Sequence, residues 1–282
     1  MPFLIMRYPE NKAKAVTFSY DDNHVYNRHL MEIIDRHGIK CTFNINSAGI
    51  RRGTALLTED LQTMLDHGHE IAVHGAEHIA PGMAPLPQAV RDDLVGREEL
   101  EKMLGRIIRG MAYPNSGVLR FYNGADYAQV RDYLKAIGIV YSRTLGADND
   151  KFLLPDDWWN WNPTAHHNNG NLFTYIDKFL ALDPSDGYPN NRHVRLFYLW
   201  GHSFEFENKG NWDRLEEICE KLGGHEDIWY ATNIEIHDYV EAYRAMQTSV
   251  NCEIIHNPTA TKLWFQADGK DYTLAPGETI KL

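Results

Sequence analysis

At 282 residues the chain is long enough to bury most of its unfolded surface around one large core, so neither a disulfide framework nor a structural metal is required for folding. Hydrophobic residues at 43% and charged residues at 24% exclude a disordered or fibrous chain, and no apolar run approaches the ~18 residues of a membrane span. Lys plus Arg number 28 against 39 Asp plus Glu, and the resulting charge of −11 argues against a nucleic acid or an anionic membrane as partner.

The opening segment MPFLIMRYPE lacks a basic stretch followed by a long apolar core, so no secretory leader is expected. Three cysteines, Cys41, Cys219 and Cys252, are odd in number and far apart, which suits a reducing compartment. Together these point to the cytoplasm. Downstream, runs rich in Val, Ile, Phe and Tyr alternate with helical patterns. A strand at 15–20 leads to a helix at 25–37. A strand at 41–46 precedes a helix at 58–67, where Leu61, Met64 and Leu65 share one face. The strand at 70–74 is followed by a helix at 86–105, that at 110–113 by one at 126–137. Strands at 139–144, 195–201 and 228–232 and helices at 211–222 and 234–248 complete the series. Gly38, Gly68, Gly138 and Gly223 stand where helices should stop.

Alternation of this kind means parallel strands joined by crossover helices. About seven such units suit a distorted (β/α) barrel, an α/β fold spanning residues 1–248. Two segments break the rhythm. Residues 145–188 form a long Asn-, Asp- and Trp-rich stretch, too aromatic for disorder and long enough to suggest function. Residues 249–282 alternate apolar and polar positions around turn signals at Asp268-Gly269 and Pro276-Gly277, which predicts a short antiparallel β appendage.

In α/β barrels the active site forms at the carboxyl ends of the strands. Asp21 and Asp22 follow the first strand, and His74 the third, with His78 four residues on. Tyr113 and Pro114 end the fourth, Arg143 the fifth, and His202 follows the sixth. Taken alone, Asp21-Asp22 reads equally as a helix cap or as a base beside a ligand. The i, i+4 pair His74 and His78 lets two imidazoles reach one ion, and an Asp at the adjacent strand end completes an Asp-His-His set with open positions for water. Zn²⁺ suits those donors.

These residues resemble the motifs of the polysaccharide deacetylases, carbohydrate esterase family 4, with its NodB-type homology domain. Ser19-Tyr20-Asp21-Asp22-Asn23 is similar to the family's Thr-Phe-Asp-Asp-Gly, which implies Asp21 as general base and Asp22 as metal ligand. His74-Gly75-Ala76-Glu77-His78 is similar to His-(Ser/Thr)-x-x-His and implies both histidines as ligands. Gly75 replaces the hydroxyl residue that braces this loop, so the support must come from elsewhere. The third motif, Arg-x-Pro-x-Gly in loose form, meets Ala112-Tyr113-Pro114-Asn115-Ser116-Gly117, with Ala112 where the family's Arg would pair with the base. Arg143, on a neighbouring strand end, is the candidate substitute. Asp157-Trp158 carries the letters of the fourth motif, about a dozen residues late. Tyr198-Leu199-Trp200-Gly201-His202 meets the fifth, implying His202 as general acid.

The resemblance implies a metal-dependent N-deacetylase acting on an acetylated sugar, with zinc as the usual metal and cobalt, nickel or iron compatible. A backbone N–H near Tyr113 is the expected second donor to the oxyanion. Trp158, Trp159 and Trp161 would either form a platform for a sugar ring or pack their loop onto the barrel. His166 or His167 would contact substrate or a second metal, or be a structural pair. Glu205, three residues after His202, is placed to orient that imidazole, whereas His24, His29, His37, His193, His237 and His256 read mostly as surface residues. The rivals are a hydrolase of a linear or cyclic non-sugar amide on the same barrel, and a retired barrel that binds carbohydrate without turnover.

Overall fold

A computed structural model describes residues 2–53, 55–115, 117–121, 125–183 and 192–282. Its strands are β1 (Leu4–Arg7), β2 (Lys14–Asp21), β3 (Cys41–Ile45), β4 (Glu70–Val73), β5 (Gly110–Ala112), β6 (Tyr141–Arg143), β7 (Ala165–His166), β8 (Arg195–His202), β9 (Ile228–Tyr230), β10 (Gln247–Thr248), β11 (Ile254–His256), β12 (Leu263–Ala267), β13 (Lys270–Leu274) and β14 (Thr279–Lys281). The helices are α1 (Asn27–Arg36), α2 (Ser47–Arg51), α3 (Thr58–Asp66), α4 (Leu86–Leu104), α5 (Tyr127–Ala136), α6 (Leu172–Leu180), α7 (Ser203–Lys209), α8 (Trp212–Leu222) and α9 (Asn233–Arg244).

An eight-stranded parallel sheet runs β6-β5-β4-β3-β2-β8-β7, with β9 on the lower half of β2. The strand β2 shows why this sequence makes a barrel. All eight of its residues are buried, so both faces are covered, as parallel sheets require. Val16, Phe18 and Tyr20 face the helical layer, packing with Leu30, Ile34, Phe43 and Leu215. The alternate residues Thr17, Ser19 and Asp21 find polar partners on the other face: Asn233, Asn44 and Arg143. Period-two alternation thus stacks a polar column that ends at Asp21. Lower in the column, Glu70 accepts hydrogen bonds from Thr42, Tyr141 and the first-turn N–H of Ile234 in α9.

Seven expected strands are present in order. The eighth, β7, lies inside the stretch read as an irregular loop. Across residues 161–167 the backbone bonds to both neighbours. Trp161 N–H donates to the Ser142 carbonyl at 3.2 Å, while Thr164 and His167 N–H donate to Tyr198 and Trp200 at 2.8 and 2.9 Å. The segment thereby spans from β6 to β8. Two bonded residues are too few to give a periodic signal. The same stretch also holds α6, whereas 184–188 lie outside the described residues.

The helix expected to reach residue 248 ends at Arg244, because Gln247 and Thr248 pair with His256 and Ile255. The amino terminus, read as no element, supplies β1, antiparallel to β12 with Leu4 opposite Ala267 and Arg7 opposite Trp264. Antiparallel strands also form the tail, as β12-β13 and β10-β11-β14. Leu263, Phe265 and Leu274 join Tyr8, Trp161, Tyr198 and Tyr239 in a second apolar cluster. Among the described residues no helix is long and apolar enough to cross a membrane.

Candidate active site

Asp21 ends β2 with its side chain inside the barrel and 3% of its surface exposed. Asn44 donates to one carboxylate oxygen at 2.9 Å, and the fully buried Arg143 guanidinium donates to the other. Burial alone would raise this carboxyl's pKa, but Arg143, His74 and His202 outweigh it and hold the group below the usual carboxylate value. Asp21 is therefore held as a carboxylate, able to accept a proton.

Arg143 answers the question left by Ala112. The two residues are register partners on β5 and β6, so the guanidinium arrives at the same height from the adjacent strand. Its cation also lies 4.5 Å from the Trp200 ring centroid.

Asp22 follows in the left-handed region, at φ 70°, which turns its carboxylate away from the strand direction. Asn46 donates to its Oδ1 at 2.9 Å. His74, 1% exposed, donates its Nδ1 hydrogen to the Ala112 carbonyl at 2.8 Å, leaving Nε2 as a lone pair. Burial lowers its pKa and keeps it neutral. His78 brings Nε2 to 3.1 Å from His74 Nε2 and 3.6 Å from Asp22 Oδ1, and His74 Nε2 lies 3.8 Å from that same oxygen. A triangle of these sides admits an ion about 2 Å from all three atoms, the bond length of zinc to imidazole and carboxylate. The donors are also those of catalytic zinc sites, so the residues fit a divalent metal.

The support missing from Gly75 comes from α4. Gly75 is at φ 68°, and a Cβ there would lie 2.3 Å from Asp92 Oδ2. Asp92 accepts the N–H groups of Glu77 and Ile79 at 2.7 and 3.1 Å, and its own carbonyl accepts Ala76 N–H at 3.1 Å. Gly96 lets the helix approach, since a Cβ there would meet the Gly75 carbonyl carbon at 2.7 Å. The motif's hydroxyl is thus replaced by a buried carboxylate seventeen residues further along the chain, invisible until α4 packs on the loop.

Tyr113 requires a correction. Its backbone N–H donates to the Arg143 carbonyl at 3.0 Å, so it is committed to the sheet and unavailable to an oxyanion. Its hydroxyl donates to the Trp159 carbonyl at 2.8 Å. Pro114 starts a tight turn closed by Gly117 N–H at 3.0 Å, and the Asn115 amide lies 3.3 Å from His78 Nδ1. Ser116 lies outside the described residues.

The tryptophans are a second correction. Trp158 and Trp161 are 5% and 1% exposed, so neither forms a platform open to a sugar. Trp161 packs edge-on against Tyr141 and Tyr198, and Trp158 donates to Glu241 at 2.7 Å. Both anchor the closing segment to the second core. Asp157 accepts Tyr127 hydroxyl and Trp159 N–H, capping a short turn rather than joining the site. His237, expected at the surface, is 8% exposed beneath Trp158.

His202 stands opposite Asp21 in the β2–β8 register. Its Nδ1 donates to Glu205 Oε1 at 3.0 Å, as its spacing suggested. His166 lies beside it, with ring centroids 6.3 Å apart, and edge-on to Trp200 at 4.5 Å.

Residues 8–140 match the family profile described as polysaccharide deacetylase. Over this stretch, a little under half of its length, the chain is similar to the polysaccharide deacetylase family. The matched stretch carries Asp21, Asp22, His74, His78, Tyr113 and Pro114, while Arg143, His202 and Glu205 lie beyond it. Solved structures share the fold over most of their length. A Mycobacterium smegmatis protein assigned to the polysaccharide deacetylases superposes with a TM-score of 0.59 at 18% identity, covering 86% of this chain and 96% of its own. A Pseudomonas aeruginosa PAO1 protein of the same assignment gives 0.57 at 15%, covering 82% and 92%. Puue allantoinase gives 0.60 at 13%, covering 82% and 91%. No curated protein matches the chain.

Proposed function

We propose that the protein is a metal-dependent N-deacetylase that removes an acetyl group from an N-acetylated sugar or oligosaccharide. The observation that carries this reading is the placement of an ionised base, Asp21, and an imidazole, His202, on adjacent strand ends beside three convergent ligand atoms. Asp22, His74 and His78 would hold the ion, zinc by donor set, with cobalt, nickel or iron compatible. Bound there, it would supply Lewis acidity toward the acyl oxygen and toward water.

The chain's own groups do the rest. Asp21 accepts a proton from the attacking water, and Arg143 keeps that carboxylate charged and fixed. His202 donates a proton to the departing nitrogen, which an amide requires because an unprotonated amine leaves poorly. The net negative charge suits a neutral substrate with a cationic amine product and argues against polyanionic partners.

One observation favours a second reading. With Trp158 and Trp161 buried, the site lacks the expected aromatic platform, so a small non-sugar amide fits the same chemistry. Incubating the metal-loaded protein with N-acetylglucosamine oligomers and with cyclic amides separates the two. Acetate release supports the first, ring-opened product the second, and the absence of both in protein with full metal content rejects both.

A further inference from the structure

Glu205 lies in the first turn of α7, three residues beyond His202, and gathers three imidazoles, those of His166, His167 and His202. Its Oε1 accepts His202 Nδ1–H at 3.0 Å. Its Oε2 faces His167 Nε2 at 3.1 Å and His166 Nε2 at 3.5 Å, and accepts the Asn168 side-chain amide.

The tautomers follow from the remaining contacts. His166 Nδ1 accepts the backbone N–H of Asn168 at 3.1 Å, so its hydrogen is on Nε2. His167 is fully buried, stacked between Tyr20 and Phe206 with centroids 5.7 and 4.1 Å away. Its Nδ1 has no partner among the described residues, so its hydrogen also sits on Nε2, toward Glu205. A Cβ at Gly201 would lie 1.9 Å from that Nδ1, which leaves only glycine between Trp200 and His202.

Each ring nitrogen facing Glu205 therefore carries a hydrogen. The set His166, His202 and Glu205 is compact enough for a metal, yet it is already a closed hydrogen-bonded hub. Four donors saturate one carboxylate, which then cannot take a proton from His202.

We propose that Glu205 is the positioning residue of this site, a hydrogen-bond acceptor shared by His166, His167 and His202 and the counter-ion of His202, which it holds with Nε2–H free for the leaving nitrogen. His167 acts as the buried clamp that keeps the carboxylate in place. The inference rests on the reading of His202 as general acid.

Electrostatics agree with the geometry. Burial acts to lower the His202 pKa, but the hydrogen bond to Glu205, with Asp21 and Asp22 behind it, lifts it above the ordinary imidazole value. Burial would raise the Glu205 pKa, and the three imidazoles instead hold it far below the carboxylate range. Burial pushes His167 down to about 4, so it stays neutral. The groups around His202 are Glu205 and Phe204 from α7, His166 and His167 from β7 and its following turn, Trp200 from β8, and Asp21 and Asp22 from β2 and its end. Arg143 of β6 is tied to Asp21.

The test is histidine-ring NMR titration of the full, metal-loaded chain without substrate, comparing wild type, Glu205→Gln, Glu205→Asp and His167→Phe. The expected result is a His202 titration lowered by about one pH unit or more in Glu205→Gln and partly restored in Glu205→Asp. His167→Phe, which preserves the ring stack, should give a smaller drop. In turnover, Glu205→Gln should lower kcat by about 10²-fold and move the alkaline limb of kcat/KM to lower pH, with KM and metal content unchanged. An unmoved His202 titration in a folded Glu205→Gln protein overturns the proposal, even if activity is lost. If wild type releases no acetate while the titration shift is present, the deacetylase reading fails and the Glu205 assignment stands.

Discussion

Asp21 and Arg143 form an ion pair with both partners withdrawn from water, and such pairs respond asymmetrically to substitution. Removing the cation leaves a buried carboxylate without compensation. Arg143→Ala should therefore cost about 3–5 kcal/mol of stability, read as a lower urea midpoint at unchanged m-value. Asp21→Asn retains shape and the contact with Asn44 while removing the base. Acetate release should fall about 10²–10⁴-fold with metal content intact, and full activity in this variant would exclude Asp21 as base. At this scale much was legible. Asp21, Asp22, His74, His78 and His202 were identifiable because strand ends face one rim, and Arg143 because it ends a strand. That Ala112 and Arg143 share a register was not legible, since register is a property of two strands together.

At the scale of elements, the loop that carries His78 is held by a helix that contributes none of the candidate ligands. Asp92 and Gly96 of α4 set the path of 75–79, and through it the position of His78. Asp92→Ala would strand the N–H groups of Glu77 and Ile79. Metal affinity by chelator competition should fall about 10–100-fold while the fold persists. The segment 161–167 acts similarly for the opposite wall, linking β6 to β8 and delivering His166 and His167 to Glu205. Its tryptophans were conspicuous in the sequence, but an indole cluster serves a core and a sugar platform equally well. Which one it serves depends on whether neighbours cover it, and here Tyr141, Tyr198 and Glu241 do.

Across the whole molecule, the barrel interior and the β tail share one core. Phe265 is fully buried and packs on Tyr272, so Phe265→Ala should destabilise the entire protein by about 3–5 kcal/mol rather than free the tail alone. A single coincident transition by fluorescence and far-UV circular dichroism would show this. The buried Glu70 links β3, β4, β6 and the start of α9, and burial pushes its pKa up to about 7. The unfolded chain releases that proton near the ordinary value of ~4.3. Between these limits the folded state holds more protons, so stability contributed by Glu70 is complete below pH ~4.3 and is lost as pH rises toward 7, on the order of 3 kcal/mol. Glu70→Gln should flatten that part of the stability curve.

The sequence by itself determined the barrel class and the order of seven strands, and pointed to Asp21, Asp22, His74 and His78 as a cluster, because each depends on a period or spacing within a few residues. Tertiary structure alone decided the rest. The pairing of Asp21 with Arg143, the brace from Asp92, the burial of Trp158 and Trp161, the union of β1 with the tail and the gathering of His166 and His167 at Glu205 join residues far apart in the chain. The physical reason is that local patterns specify which face a side chain occupies, whereas its partner is chosen only when elements pack.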